Sequence, residues 1–354
     1  MSEMLEFIAD SAKKIFRDQV TKELNESVES GAFPEELWQV LAESGMLSIG
    51  VPEALGGVGG DVEDALAVLH LAGKHAVPAP LLETLGVVWT LAEFGEEAEL
   101  LPMSFVIGDF LIEEGTPLKL EHVPWGRVAS KVIVAGTING KPGIGQFSTD
   151  GIQVVENQNL AGEPLDQLVI NDPDIELLSE GEQAKQATAR LLEIGAAGRS
   201  AMMAGAIEHV LNLCVFYAKE RQQFGRPLTR FQAIQHHIAA IAGEAAAVLG
   251  ALSGSNDALS RGTGSDEIAM AKIRISEAAG TVSSRAHQLH AAIGMTYEHE
   301  LHLSTRRLWT WREEYGNETY WANVLAERYL TKEESLWESI TKTKRGNVHA
   351  GSVV

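Results

Sequence analysis

The hydrophobic period of this chain changes twice, and those two changes constrain its fold more than any other feature. From Leu5 to about Phe94 the apolar residues recur at helical spacing, punctuated by glycine and proline. The middle stretch is different: Val128–Ala135 is a short β-branched run, Gly143–Val155 alternates, and Leu168–Ile170 offers a further strand. From Glu182 to about Thr341 the helical period returns. A period near 3.6 buries one face of a helix and a period of 2 one face of a strand, so the pattern predicts an α+β chain in three parts. These are an N-terminal helical domain (1–102), a small middle antiparallel β domain (103–180) and a C-terminal four-helix bundle (181–342), followed by a polar tail (343–354).

Local punctuation sets the expected elements. A helix over Leu37–Ser44 stops at Gly45, and one from Val62 to His75 stops before Val77-Pro78-Ala79-Pro80, where two prolines forbid continuation. A third covers Leu81–Phe94. Asn139-Gly140 and Asp150-Gly151 are dipeptides of the kind that close hairpins. In the last part, Ile207, Leu211, Cys214 and Ala218 form one apolar stripe. Ile268, Ala271, Ile275, Ala278, Val282 and Leu289 form another, long enough for about six helical turns.

Acidic residues outnumber basic ones 49 to 28, for a formal charge of −21. Such a field repels phosphate backbones and argues against a nucleic-acid partner, so any anionic ligand must meet a local cluster of cations. Cys214 is the only cysteine, which leaves no intrachain disulfide and fits a reducing, cytoplasmic setting. The first residues are amphipathic and partly acidic, unlike a secretory signal, and no apolar stretch is read as a membrane span.

The cations gather at Tyr217–Ala240. A helix is expected to end near Arg221, a loop to turn at Gly225 and Pro227, and a new helix to begin near Thr229, a plausible N-cap. Arg221 and Arg226 thus flank a helix junction, where guanidinium groups grip phosphate or carboxylate well. The plainer alternative is a pair of solvated arginines on a loop.

The pattern Tyr-x-x-x-Arg-x-x-Phe-Gly-x-Pro-Leu-x-x-Phe-Gln, at Tyr217–Gln232, resembles the flavin-binding signature of acyl-CoA dehydrogenases. The resemblance implies FAD as cofactor, held by Arg221, Phe224 and Gln232 across a subunit interface. Downstream, Gln288–Tyr297 resembles the family's Gln-x-x-Gly-Gly-x-Gly-Tyr segment and places Gln288 and Gly294 beside the same cofactor. Ala291 and Ala292 stand where that segment has two glycines. The Gly-rich stretch Gly56-Gly57-Val58-Gly59-Gly60 resembles the family's helix–loop–helix opening. A Rossmann reading of that stretch fails, because no strand precedes it.

Two departures from the family pattern bear on chemistry. The Thr-Glu-Pro-x-Ala-Gly-Ser stretch that lies against the flavin ring has no counterpart between Met103 and Leu178. The carboxylate that removes the substrate's α proton in many members falls here on Tyr315 or Gly316, neither of which is a base at neutral pH. The resemblance implies α,β-dehydrogenation of an acyl-CoA, with electrons passed to an electron-transfer flavoprotein. It leaves three sources for the base: Glu277 on the helix before Gln288, one of Glu313, Glu314 and Glu318, or a partner chain. The alternative function is therefore a non-catalytic subunit completing a neighbour's FAD site in a homo- or hetero-tetramer, as in the actinobacterial steroid side-chain subgroup. A third reading, a metal hydrolase, draws on His236-His237, His287/His290 and His299/His302, for which no carboxylate or cysteine set completes a site.

Overall fold

The computed structural model describes residues 3–113, 115–171, 173–262, 264–331 and 337. The expected tail at 343–354 lies outside them. Five helices open the chain: α1 (Glu3–Gln19), α2 (Lys22–Glu29), α3 (Glu35–Glu43), α4 (Val62–Lys74) and α5 (Leu81–Glu93). Each predicted boundary in this part falls within two residues of the observed one. Asp61 caps α4 through a reciprocal capping box with Asp64, which supplies the start signal that periodicity alone does not locate.

Seven strands follow: β1 (Met103–Phe110), β2 (Leu118–Pro124), β3 (Lys131–Ile138), β4 (Lys141–Ser148), β5 (Gln153–Val155), β6 (Leu165–Ile170) and β7 (Glu176–Glu180). They make two sheets, ordered β1-β3-β4-β7 and β2-β6-β5. The expectation of a wholly antiparallel domain needs correcting. β1 and β3 pair in parallel, from Met103 opposite Lys131 to Phe110 opposite Ile138, because the strand between them, β2, crosses to the other sheet. Asn139-Gly140 does close the β3–β4 hairpin. Asp150-Gly151 instead carries the chain from one sheet to the other. Both faces of the first sheet are covered: Phe105, Ile133 and Ala135 join the core shared with the helices, while Val132, Val134 and Phe147 face the second sheet. That explains the unbroken apolar run Val132–Ala135, since a strand buried on two faces has no polar side.

The bundle is built from α6 (Glu182–Glu220), α7 (Gln232–Ser260) and α8 (Ser265–His290), with α9 (Leu301–Trp311) and α10 (Glu318–Leu330) as a divided fourth arm. The α8 stripe from Ile268 to Leu289 is buried along its length. The N-terminal part docks on the bundle through backbone-close contact of α4 with α6. A Cβ at Gly73 would lie 1.9 Å from the Met202 carbonyl oxygen, and one at Gly205 would lie 1.9 Å from that of His70. All three parts meet at Arg307 on α9, which donates to Glu163 (3.1 Å) in the β domain and to Asn25 (2.8 Å) on α2. Trp311 donates to the other Glu163 oxygen at 3.1 Å.

Two helices, α6 and α7, carry windows long and apolar enough to cross a membrane by length and composition, contrary to the sequence expectation. Most of the α6 window is buried in the bundle, whereas only 28% of the α7 window is. The outward face of α7 presents His236, Ala239, Gly243, Ala246, Gly250 and Ser253 at alternating spacings of three and four, all exposed. Nothing lies within 4 Å of a Cβ built at Gly243 or Gly250, so the face is open to close approach by another helix.

Candidate functional site

The sequence-predicted residues separate into an outward-facing group and a buried one. At the α6–α7 junction, α6 ends at Glu220 and a two-residue hairpin pairs β8 (Gln222–Gln223) with β9 (Arg226–Pro227). Phe224 and Gly225 form its tip, both at positive φ, and Phe224 is 91% exposed. Thr229 does not cap α7. It lies in a 3₁₀ turn over Leu228–Arg230, and the extended residue Phe231 precedes the helix without a side-chain cap bond. The Arg226 guanidinium stacks over Phe231 at 4.3 Å. Arg221 and Gln232 are exposed beside it.

On α8, Gln288 is exposed and lines a groove of about 390 Å³ with His237, Thr281, Ser284 and Arg285. The structure thus brings Gln288 against α7. Gly294 is buried and opens instead on a second cavity of about 200 Å³, with His287, Tyr297 and Trp309. A Cβ at Gly294 would stand 2.7 Å from that of His290, so close packing requires glycine there. Ala291 keeps a glycine-type backbone (φ 52°, ψ −139°) although its side chain is a methyl group. Holding a methyl-bearing residue in this backbone conformation costs about 1–3 kcal/mol.

Glu277 lies on the same outer face of α8, with its side chain 60% exposed and 3.9 Å from Arg274, which is itself held by Glu244. The Tyr315 ring is faced instead by Gly195 and Arg199 of α6. Glu277 is also absent from the residues lining the largest cavity described. That cavity, of about 510 Å³, is lined by Phe105 and Ile107 of β1, Leu192 of α6, the Glu314-Tyr315-Gly316 loop and Tyr320. Glu121 and His122, where β2 bulges against β6, stand at its edge.

Sequence reasoning missed most of what fills this place. Tyr315 stacks on Phe105 with centroids 5.1 Å apart. Arg199 of α6 donates to Glu83 at 2.5 Å and to Glu314 at 2.6 Å, and lies over the rings of Trp311 and Tyr315. Burial works against the Arg199 charge, and the carboxylates of Glu314 and Glu83 more than offset it, so the guanidinium stays protonated. Burial pushes Glu83 up, with Arg199 opposing, and burial raises the Tyr315 hydroxyl, with Glu83 adding to the rise. Among Glu313, Glu314 and Glu318, only Glu314 lines the cavity; Glu318 accepts from Arg312 at 2.5 Å and Glu313 is exposed. The available signal was single charges inside apolar helical runs: Arg199 in Ala196–Ala206 and Glu83 in Leu81–Leu91.

Gly316, one of the two positions expected for the base, sits at φ 89°. A Cβ there would come within 2.5 Å of the Tyr320 ring and 2.7 Å of Trp321 Nε1, so the loop has no room for a side chain. The histidines offered for a metal centre make local bonds: His287 with Thr305, His290 with the Ala286 carbonyl and His302 with the His299 carbonyl. Among the described residues no group of three potential ligands is placed to hold a metal.

A helical cap, a small β layer and a bundle carrying exposed arginines at a helix junction are the parts of a flavoprotein dehydrogenase. The chain belongs to the acyl-CoA dehydrogenase family, whose N-terminal domain matches residues 2–99 and whose C-terminal domain matches residues 184–330. These are oxidoreductases acting on CH–CH bonds, with FAD as cofactor. Acyl-CoA dehydrogenase IpdE2 of Mycobacterium tuberculosis is 31% identical over 282 residues, which is 78% of this chain and 80% of that protein. Two solved structures share the fold. The ChsE4-ChsE5 complex from Mycobacterium tuberculosis superposes with a TM-score of 0.83 at 19% identity, covering 94% of this chain and 99% of that one. The steroid acyl-CoA dehydrogenase Tcur3481-Tcur3483 superposes with a TM-score of 0.80 at 24% identity, covering 92% and 97%.

Gln288 and Arg285 line one groove, whose lining includes neither Arg221 nor Phe224 nor Gln232. Arg221, Gln232 and Gln288, with Arg226 and Arg285 nearby, are exposed donors on an otherwise acidic chain, suited to a diphosphate and adenine. Around the 510 Å³ cavity stand the aromatic pair Phe105–Tyr315 and the paired charges of Arg199, Glu83 and Glu314.

Proposed function

We propose that this chain is the base-less subunit of a heteromeric acyl-CoA dehydrogenase, lending Arg221, Phe224, Gln232 and Gln288 to an FAD site completed by a related subunit. One observation carries the reading: at the expected base position Gly316 admits no side chain, and Tyr315 beside it is packed into the hollow left by Gly195. Glu314, the loop carboxylate that lines the cavity, is tied to Arg199 and so is poorly suited to accept a proton. The open small-residue face of α7 supports a tightly docked neighbour, and the relatives named ChsE4-ChsE5 and Tcur3481-Tcur3483 are two-component assemblies by their names. In the complex Arg221, Phe224, Gln232 and Gln288 would help hold FAD, which would supply the hydride acceptor, and a carboxylate of the partner subunit would remove the α proton of the acyl-CoA. Likeness to a steroid-acting relative favours a bulky, ring-bearing acyl group, and an electron-transfer flavoprotein is the natural acceptor.

The test is the absorption spectrum of the purified chain, alone and then mixed with a related dehydrogenase subunit. Flavin bands only in the mixture are expected; a yellow, active homotetramer would sink the proposal. A second reading rests on Glu314 lining the cavity, which would make it the base. In that case Glu314→Gln abolishes turnover of the assembled enzyme; under the proposal it leaves turnover within about threefold, a change near 0.7 kcal/mol in the barrier.

A further inference from the structure

Lys272 lies in the middle of α8 on its buried face, with no exposed surface. A lysine there is costly unless its ammonium is matched on every side. Its Nζ donates to the carbonyl oxygens of Trp311 (3.0 Å) and Arg312 (2.9 Å), with Ser276 Oγ at 3.5 Å. Those carbonyls are the last of α9, so the ammonium stands at the negative end of that helix and satisfies groups that helix geometry leaves orphaned. Three residues later the chain enters left-handed backbone at Tyr315 (φ 53°) and Gly316 (φ 89°). The Trp321 indole then fixes the Tyr315 carbonyl at 3.0 Å.

We propose that Lys272 is a positioning residue: by ending α9 where it does, it sets the stance of Glu314, Tyr315 and Gly316 over the cavity. The inference does not depend on whether this chain or its partner supplies the base, because the same loop shapes the cavity in either case.

The surroundings make the clamp sensitive to protonation. Burial brings the Lys272 value down to about 7. Glu314 and Glu313 of the loop and Glu318 of α10 favour the ammonium, while Arg199 of α6 opposes it. Arg312, whose carbonyl Lys272 grips, is held by Glu318 at 2.5 Å. Below neutrality the ammonium binds both carbonyls as a charged donor; above it the amine holds them more weakly.

The experiment is fluorine NMR of the full chain carrying fluorotryptophan, followed from acid to mildly alkaline pH. Trp311 and Trp321 report the two ends of the loop, and each resonance is assigned by a Trp→Phe variant. In the native chain the Trp321 resonance is expected to shift with a midpoint near pH 7. Lys272→Met is expected to abolish the titration and move Trp321 away from its native position at every pH. Glu314→Gln, which removes a favourable carboxylate without touching the lysine, is expected to lower the midpoint by about half a pH unit or more. A Trp321 resonance in Lys272→Met that coincides with the native one across the range overturns the proposal. So does an unchanged midpoint in Glu314→Gln, which keeps the idea testable even if the methionine variant does not fold.

Discussion

Gly195 and Tyr315 interlock: a Cβ built on Gly195 would lie 2.6 Å from two atoms of the Tyr315 ring. The aromatic ring of the loop is thus seated against bare backbone of α6, at one of the two positions where the family resemblance places the base. Gly195→Ala is expected to destabilise the chain by about 1–3 kcal/mol, because a packed ring must be displaced to admit the methyl group. In a Tyr315→Ala background the same change is expected to cost under about 0.5 kcal/mol. Urea unfolding of the native chain and the three variants gives the coupling; additive effects would mean the ring is not seated there.

Gly316→Glu restores a carboxylate by sequence but not by structure. Positive φ and the 2.5 Å approach to Tyr320 predict a loss of about 1–3 kcal/mol and no gain of dehydrogenation in the assembled enzyme. Thermal unfolding and acyl-CoA-dependent flavin bleaching check the two halves separately. A stable variant that bleaches flavin would show that the loop accommodates a base after all.

Ala291→Gly runs the other way. At φ 52° and ψ −139° the native methyl group is strained, so glycine is expected to raise stability by about 0.5–1 kcal/mol even after its greater unfolded-state entropy. A lowered melting temperature would place the strain elsewhere.

Arg221→Ala separates cofactor binding from folding. The side chain is exposed, so the isolated chain is expected to keep its stability within about 0.5 kcal/mol. FAD affinity of the assembled complex is expected to fall about 10- to 100-fold, the worth of a charge-assisted phosphate contact. Equilibrium dialysis of flavin against the complex measures it, and undiminished binding would take Arg221 out of the site.

Acid stability has a traceable contributor on the α4–α6 contact. Glu208 is held down to about 2, first by the hydrogen bond from His70 (3.0 Å) and then by Lys74 (2.6 Å). Its folded value lies below its ordinary 4.5, so its stabilisation is complete above that value and is lost as pH falls toward 2. Glu208→Gln is expected to flatten the native chain's loss of stability across that window. Chemical denaturation at stepped pH reads this directly; parallel slopes for the two proteins would remove Glu208 as the cause.

The fold was legible where one physical signal decides it. Periodicity with proline and glycine punctuation locates α3, α4 and α5, and the buried stripe of α8 follows from Ile268 to Leu289. The parallel β1–β3 pair was not legible, because it depends on β2 leaving the sheet, a matter of topology that alternation does not encode. The exposed group proposed for the cofactor, Arg221 to Gln288, was legible through its motifs. The buried group was not. The resemblance places Glu277 on the helix before Gln288, yet a position along one helix says nothing about which neighbour it faces. The decisive residues, Gly195, Arg199 and Lys272, lie in apolar helical stretches, where a glycine reads as a weak helix former and a charge as an exception.

The bare seam along α7 has a consequence for supply. In the proposed assembly a neighbour lies along the 29-residue helix α7, whose outer face of small residues is uncovered in the single chain. A cell that made this chain in excess would hold orphan molecules displaying the surface that chaperones and proteases recognise. Abundance of the lone chain should therefore follow that of whatever docks there, with the surplus cleared rather than stored.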